Sequence, residues 1–428
     1  MNSVKQLHQL AASEGLRSSA IMIAGNIFAQ GLSGLAIIII SRLIGPEEFG
    51  IFSSGFSLAL IVASLIDLGL TAAQQQAIPR AASDAERNRI FGTVLLIKSV
   101  LFLLAAILIL PLSEFIGDKL YFSSSLFVFW IVLANIGSVF YNQLASMLLS
   151  IKRISQTVGI NTTQAVSKLG LALAIFMTVW LSGEGVLMVY LALPLIIVPL
   201  AGVLLPDWYR FTLRFDRSSW LKMKSMALNN WVASFASVLI QNADIVLVSM
   251  YLSQNEAGLI GAASRLAMFI ALVGSSLASV LNPRVSSYRS ESDLTAFWRK
   301  ALLLSASSAG LAIISFLIAK PLLAITVGSE YLSAAPVLGW LLAASWLSVG
   351  LAPLTALFYS YDKAWYFSVS AALQASFLLV GNALLLPSFG IIAAGWVRLT
   401  AQLVMVVFTI GIALMSHRQR FKQFPNIF

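Results

Sequence analysis

The chain has 428 residues, of which 59% are hydrophobic and only 10% are charged, and its formal net charge is +10. Soluble domains carry about 25% charged residues, so this composition predicts an integral membrane protein. The absence of cysteine excludes disulfides, thiolate metal sites and cysteine nucleophiles. Both histidines, His8 and His417, lie in the polar ends of the chain, which argues against a buried histidine relay or a histidine-ligated metal site.

The N-terminal 17 residues are too polar for a signal peptide. Their apolar positions, Val4, Leu7, Leu10 and Ala11, fall on one helical face. We expect this segment to be a short amphipathic helix that lies on the membrane surface.

Twelve apolar runs follow, each long enough for the ~20 residues that a helix needs to cross the hydrocarbon core. They cover residues 18–41, 50–73, 91–111, 123–149, 158–181, 185–206, 227–252, 258–281, 301–319, 336–359, 367–387 and 390–414. The alternation expected of membrane β-strands is absent. The sequence therefore predicts an all-α, polytopic membrane protein.

The basic residues indicate the orientation of these spans. The chain termini and every second link hold 20 of the 27 Lys and Arg residues, whereas the opposite links hold three: Arg42, Lys119 and Lys320. The positive-inside rule then places both termini in the cytoplasm and explains the net charge without nucleic acid. The basic link 207–226 divides the chain, and we expect it to lie on anionic lipid.

The two halves of the chain show a weak internal similarity. A shift of 208 residues aligns EEFGIF (47–52) with NEAGLI (255–260), and each half has a Pro-Arg pair after its second span. This similarity predicts two six-helix lobes, 18–206 and 227–414, around a central cavity, with a cytoplasmic tail at 415–428.

Ionisable residues inside the predicted spans are costly and need a partner or a hydrated cavity. There are six: Asp67, Lys98, Lys168, Asp244, Arg265 and Arg398. Their depths allow Asp67 to pair with Lys98 and Asp244 to pair with Arg265, as structural ion pairs or as transport residues. Lys168 and Arg398 are left without an acid at matching depth, which favours an anionic substrate. Arg265 and Lys98 are further candidates if their partners release them.

Polar side chains at helical spacing form stripes along several spans, which favours a hydrated cavity over isolated helix contacts. The expected lining residues are Asn26, Gln30, Asn135, Asn142, Asn161, Gln164, Asn230, Ser234, Ser237, Gln241 and Gln402. Neutral amides and hydroxyls suit a sugar, and a few cations suit a phosphate.

The sequence has no nucleotide-binding loop, no HExxH motif and no Ser-His-Asp set, and its links are too short for a catalytic domain. We therefore expect a transporter without a cofactor rather than an enzyme. Asp67 and Asp244 are the candidates for coupling to H⁺ or Na⁺.

One segment, SRLIGPEEFGIFSSGFSLALIVASLIDLGL (41–70), resembles the signature region of bacterial oligosaccharide flippases of the Wzx type. These belong to the multidrug/oligosaccharidyl-lipid/polysaccharide (MOP) exporter superfamily. The matching positions are Ser41, Arg42, Gly45, Pro46, Phe49, Gly50, Asp67 and Gly69. The resemblance implies a V-shaped fold and alternating access, moving undecaprenyl-pyrophosphate-linked repeat units across the bacterial inner membrane for O-antigen, capsule or exopolysaccharide synthesis.

The resulting hypothesis is such a flippase, with its pyrophosphate at Lys168, Arg398, Arg265 and Lys98. The expected partners are the lipid-linked oligosaccharide, membrane lipids, H⁺ or Na⁺, and other membrane proteins of glycan assembly, without nucleic acid. The alternatives are a multidrug cation antiporter of the same superfamily and a membrane-embedded glycan polymerase or ligase. The antiporter would need a cavity dominated by acids, and the polymerase a long outer loop.

Overall fold

A computed structural model describes residues 14–177, 182–206, 213–286, 288, 291–361, 363 and 365–422. Most of the N-terminal segment, including His8, and residues 207–212 of the central link lie outside these ranges, as does the end of the C-terminal tail. The expectations for those residues stay predictions.

The described residues form an all-helical protein, which confirms the predicted fold class. The α-helices are α1 (Glu14–Asp67), α2 (Leu70–Ala77), α3 (Asp84–Lys119), α4 (Phe127–Ala134), α5 (Ile136–Ser150), α6 (Ile154–Met177), α7 (Gly183–Val203), α8 (Arg217–Tyr251), α9 (Gln254–Ser286), α10 (Glu291–Thr326), α11 (Ala335–Ser360), α12 (Trp365–Phe389) and α13 (Ile392–Lys422). Two 3₁₀ segments, Ile78–Arg80 and Ser329–Ala334, follow α2 and precede α11.

Ten helical segments of the described chain are long and apolar enough to cross a membrane. The first combines two predicted spans, because α1 has 54 residues and would be about 80 Å long as one rod. The helix is broken at Gly45, which has non-helical angles of φ 77° and ψ 170° and directly precedes Pro46. The ten segments therefore cover eleven of the twelve predicted spans. The twelfth, predicted at 158–181, corresponds to α6 (Ile154–Met177).

The helices expose apolar side chains outward, which is the pattern expected of a surface in contact with lipid. Ile107 and Leu108 on α3 and Ile313 and Leu317 on α10 are each at least 65% exposed. In water such a continuous apolar surface would favour aggregation. The structure therefore supports the prediction from composition that this is a multi-pass membrane protein.

The helices divide into two compact units. Unit 1 comprises the described residues of Met1–Leu43 and Leu58–Phe235, and unit 2 comprises those of Ile44–Ser57 and Ala236–Phe428. In unit 1, α5 packs on α2 and α7. In unit 2, α11 is the central helix and packs against α9, α10 and α13.

Unit 1 contains a helix break that the sequence did not predict. Between α1 and α2, Leu68 and Gly69 have φ angles of 43° and 70°. A Cβ on Gly69 would lie 2.2 Å from the carbonyl oxygen of Ala227, so only glycine allows this approach to α8. The break interrupts the second predicted span directly after Asp67.

Unit 2 contains a close crossing between the signature segment and α9. A Cβ on Gly50 would lie 1.7 Å from the carbonyl oxygen of Gln254, and a Cβ on Gly258 would lie 1.8 Å from that of Pro46. The two contacts are related by the 208-residue shift, since 46 and 50 correspond to 254 and 258. The aligned motifs therefore meet each other symmetrically, which supports an internal duplication.

Candidate functional site

Unit 2 contains a cavity of about 270 Å³ that is lined by both polar and apolar side chains. Its charged lining residues are Arg265 and Arg398, and the neutral polar ones are Gln241, Ser264, Ser345, Ser348, Gln374 and Gln402. The remaining wall is formed by small or aliphatic side chains of α8, α9 and α11. The cavity thus combines two cations with neutral amides and hydroxyls.

Arg398 is held at this cavity by a buried carboxylate. Its Nη2 and Nε donate to Oδ2 of Asp244 at 2.6 and 3.1 Å. Asn382 donates to Oδ1 of the same carboxylate at 3.1 Å. The Asp244 side chain is only 1% exposed, whereas that of Arg398 is 15% exposed. The acid therefore lies within the protein and the arginine faces the cavity.

This ion pair corrects two expectations from the sequence. Arg398 was expected to have no acidic partner, which is wrong, and the salt bridge of Asp244 is to Arg398 rather than to the expected Arg265. Both arginines lie about as deep in their predicted spans as Asp244 does, so Arg398 does have an acid at matching depth. Depth alone does not tell which of them shares an interface with α8, so the pairing needed the packing of α13.

Arg265 lies over an aromatic ring of the signature segment. Its guanidinium carbon is 5.2 Å from the ring centroid of Phe56, a cation–π geometry. Phe56 stacks on Phe52, which stacks on Phe49. The stretch that crosses α9 at Gly50 therefore also supports one of the two cavity arginines.

A second compartment, of about 360 Å³, adjoins the first. The two share the lining residues Ala271, Ser348, Gln374 and Gln402. At this junction Gln374 Nε2 donates to Gln402 Oε1 at 3.0 Å. The second compartment adds the hydroxyls of Ser275, Thr355 and Ser370 and the aromatic side chains of Tyr366 and Phe367.

Unit 1 has its own ion pair, and the predicted pairing of Asp67 with Lys98 is confirmed. Lys98 Nζ lies 2.7 Å from Asp67 Oδ1 and donates to Thr71 Oγ1 at 2.7 Å. Thr71 in turn donates to Asp67. The Lys98 side chain is only 3% exposed, so a substrate phosphate would meet it only after these bonds break.

The predicted stripe on the fourth span is divided between two faces. Asn142 is exposed, but Ser146 is buried and accepts from Gln74 Nε2 at 3.3 Å. Gln143, next to Asn142, donates to Gln74. Asn135 was expected to line the cavity, but it is 2% exposed and donates to the carbonyl oxygen of Ala59 at 2.8 Å. It lies at the junction of α4 and α5 and holds helices together there.

Lys168 in unit 1 lies over the ring of Tyr190, with Nζ 4.8 Å from the centroid. No ion pair to Lys168 is present among the described residues. Nearby in sequence, Asn161 accepts from the Tyr141 hydroxyl at 2.5 Å and donates to Asn26 Oδ1 at 3.3 Å. Gln164 is partly buried and Gln30 is exposed.

The stripe on α8 runs from unit 1 into unit 2. Asn230 is partly buried and donates to the carbonyl oxygen of Met226 at 2.8 Å, while Ser234 and Ser237 are exposed. Gln241 is exposed, lines the first cavity and donates to Ser237 O at 3.1 Å. Asp244 ends the stripe but is buried.

The sequence reasoning missed several residues of these networks, although their spacing carried a signal. Thr71 and Gln74 follow Asp67 at steps of four and three, as regular as the stripes that were recognised. Gln374 and Asn382 are eight residues apart and so share one face of α12. Pairs of uncharged side chains at this spacing are too short a pattern to predict a polar stripe.

Comparisons with known proteins agree with this architecture. Residues 16–289 match a family model described as "Polysaccharide biosynthesis protein". A probable low-salt glycan biosynthesis flippase, Agl15 of Haloferax volcanii, is 23% identical over 280 residues, or 65% of this chain. The matched region spans 57% of that relative's own length.

Two solved structures are similar over nearly the whole chain. An inward-facing MATE family multidrug resistance transporter of the MOP superfamily has a TM-score of 0.70 at 14% identity, covering 92% of this chain and 96% of its own. The lipid II flippase MurJ in an inward closed conformation has a TM-score of 0.68 at 14% identity, covering 96% and 93%. The TM-scores show a common fold, and at 14% identity the likeness shows the fold alone.

Proposed function

This chain belongs to the polysaccharide biosynthesis protein family, because the family model matches more than half of its residues. We propose that it is a flippase for lipid-linked oligosaccharides. The proposed substrate is a repeat unit on undecaprenyl pyrophosphate. Its proposed route crosses the bacterial inner membrane, for O-antigen, capsule or exopolysaccharide synthesis. Movement would follow alternating access, without a catalytic step.

One observation carries this proposal: two arginines line a cavity whose other walls are amides, hydroxyls and apolar side chains. Guanidinium groups bind phosphate oxygens through charge-assisted hydrogen bonds. Arg398 uses two of its five N–H donors on Asp244, so within the described residues three are left for a ligand. Arg398 and Arg265 would hold the diphosphate, with Lys168 as a further cation along its path.

The neutral part of the cavity fits the glycan. Gln241, Gln374, Gln402 and Ser348 present amide and hydroxyl groups that both donate and accept, as sugar hydroxyls require. The adjoining compartment extends this surface and adds aromatic side chains. We propose that the first sugars occupy it while the prenyl chain stays in lipid.

A multidrug cation antiporter with the same fold would need an acidic side chain that is not already neutralised by a bonded basic residue. Both acids that the sequence places inside the spans, Asp67 and Asp244, are bonded to basic residues. This charge arrangement favours an anionic substrate over an organic cation. A role for either acid in coupling to H⁺ or Na⁺ stays a proposal and would require opening its ion pair.

The experiment is a flipping assay with the purified protein in liposomes. A fluorescent undecaprenyl-pyrophosphate-linked oligosaccharide is incorporated, and its transfer between leaflets is read with a membrane-impermeant glycosidase. Transfer by the wild type, and at least a tenfold loss in Arg265→Gln, is the expected result. Arg299→Gln is the matched control, because Arg299 is an exposed arginine of the same unit outside the cavity lining. Transport of an organic cation without glycolipid transfer would refute the proposal in favour of the antiporter.

A further inference from the structure

The least accessible charged residue beside the cavity is an acid. Asp244 does not line the cavity, yet both of its carboxylate oxygens are occupied: Oδ2 by Arg398 and Oδ1 by Asn382. The charged residues that do line the cavity, Arg265 and Arg398, are both cations. Asp244 thus offsets the positive charge of Arg398 without itself lining the cavity.

An anion that binds Arg398 has to share that guanidinium with Asp244. The distances of 2.6 and 3.1 Å are those of a charge-assisted pair, in which the carboxylate already takes part of the available attraction. A diphosphate on the remaining donors would also feel repulsion from the carboxylate a few ångströms away. Because the Asp244 side chain is only 1% exposed, water and salt screen this repulsion less than they would between two surface charges.

A transporter gains from this arrangement, because its substrate must both enter and leave. Binding has to be favourable enough for entry and weak enough for release. Two uncompensated arginines at one cavity would hold a diphosphate strongly. A fixed carboxylate behind one of them lowers that affinity without closing the cavity.

We propose that Asp244 is an internal counter-ion that sets the diphosphate affinity of the cavity and thereby the rate of release. This role rests on the proposed function, because it concerns the same anion site. It makes Asp244 a positioning and affinity-setting residue that acts through Arg398. Asn382, which is fully buried, fixes the carboxylate in place by its amide donor.

The test uses the full-length protein in detergent and inorganic pyrophosphate as the probe, with affinity from calorimetry and dissociation from stopped-flow. Asp244→Asn keeps the shape of the side chain and removes its charge. We expect pyrophosphate to bind at least tenfold more tightly and to dissociate correspondingly more slowly. In liposomes, glycolipid transfer by the same variant should slow.

A second variant, Asp244→Ala, also removes the charge but does not keep the shape of the side chain. It should likewise raise the affinity for pyrophosphate. Asp84→Asn is the matched control, because it removes an exposed Asp–Arg pair, to Arg87 at 2.7 Å, outside the cavity. Melting temperatures identify variants that remain folded.

The outcomes separate the two proposals. Equal or weaker pyrophosphate binding by both folded Asp244 variants would overturn the counter-ion role and leave the anion site standing. Absence of pyrophosphate binding in the wild type and in both variants would overturn the anion site itself, and the counter-ion role with it.

Discussion

The two buried ion pairs are built with opposite orientations. In unit 1 the cation is enclosed and the acid is accessible, since the Lys98 side chain is 3% exposed and that of Asp67 is 27% exposed. In unit 2 the acid is enclosed and the cation is accessible, at 1% for Asp244 and 15% for Arg398. The same kind of ion pair therefore leaves the acid more exposed in unit 1 and the base more exposed in unit 2.

This difference separates what a pair contributes to stability from what it contributes to recognition. Removing one partner of a buried pair leaves an uncompensated charge, and the penalty is largest when that charge is cut off from solvent. The accessible partner is the one that a ligand can meet. Unit 2 should therefore respond to changes at its arginine in both stability and anion binding, and unit 1 mainly in stability.

The strongest test of the contrast is Arg398→Gln. It leaves the enclosed Asp244 without its cation, so we expect a loss of about 3–5 kcal/mol in the free energy of unfolding. Pyrophosphate affinity should fall at least tenfold. Both are measured on purified protein, by thermal melting and by calorimetry.

The double variant Asp244→Asn/Arg398→Gln separates these two effects. It removes both charges, so stability should return toward that of the wild type while pyrophosphate binding stays weak. If the double variant recovered wild-type affinity, Arg398 would not be an anion ligand, and the contrast between the units would lose its functional meaning.

The next test concerns the segment that supports the second arginine of unit 2. Gly50→Ala places a Cβ 1.7 Å from the carbonyl oxygen of Gln254, which forces the backbones apart and should cost about 3 kcal/mol. Because Phe56 lies two turns further along, Arg265 should lose its ring contact, and pyrophosphate affinity should fall as well.

Gly159→Ala is the control for this substitution. Gly159 is exposed within α6, and no atom lies within 4 Å of an added Cβ, so alanine should be neutral or stabilise by up to about 1 kcal/mol. Equal melting temperatures for the Gly50 and Gly159 variants would show that the crossing tolerates a side chain.

The sequence predicted the class of the fold and the residues that carry charge, but only part of their pairing. Hydropathy predicts helices well in this protein because each span must satisfy its own backbone hydrogen bonds. The positions of Arg265 and Arg398 inside apolar spans identified them as candidates, and helical spacing identified Gln241. Asp67 and Lys98 were paired correctly because they lie at matching depth on consecutive spans.

The remaining details depend on helix rotation and packing, which spacing alone does not determine. Asn135 and Asn142 belong to one sequence stripe, yet the junction between α4 and α5 buries the first and leaves the second exposed. The break at Leu68 and Gly69 lies inside a predicted span. At this break Gly69 comes into close contact with α8, at residues more than 150 positions away, which no local pattern indicates.

In unit 1, Lys98→Met tests the other side of the comparison. The substitution keeps an apolar chain of similar length in the buried position and leaves Asp67 without its cation. Asp67 is partly exposed and keeps the Thr71 donor, so the loss should be about 2 kcal/mol, less than for Arg398→Gln. Thermal melting of the two variants side by side gives the order. A larger loss of stability for Lys98→Met than for Arg398→Gln would contradict the conclusion that Asp244 is the more enclosed of the two acids.

A third carboxylate, Asp216, is stabilised mainly by hydrogen bonds from Ser219 and Ser218 and provides the smallest effect. It caps the N-terminus of α8 by accepting from the Ser219 hydroxyl at 2.6 Å, the Ser218 hydroxyl at 2.7 Å and the Ser219 amide at 2.9 Å. These bonds to Ser219 and Ser218 lower the pKa of Asp216 to about 2. A lowered pKa in the folded state means that the ionised form stabilises the protein. That contribution is complete above pH ~4 and is lost as the pH falls through about 2.

We therefore expect Asp216→Ala to cost about 1 kcal/mol at pH 7, and the difference in melting temperature from the wild type to shrink as the pH falls from 4 to 2. Asp216→Asn should retain most of the cap at pH 7, because an amide oxygen also accepts from the helix N-terminus. A difference between wild type and alanine variant that stays constant down to pH 2 would mean that the charge of Asp216 adds nothing to its hydrogen bonds. Of the three carboxylates, only Asp67 and Asp244 would then stabilise the fold through their charge.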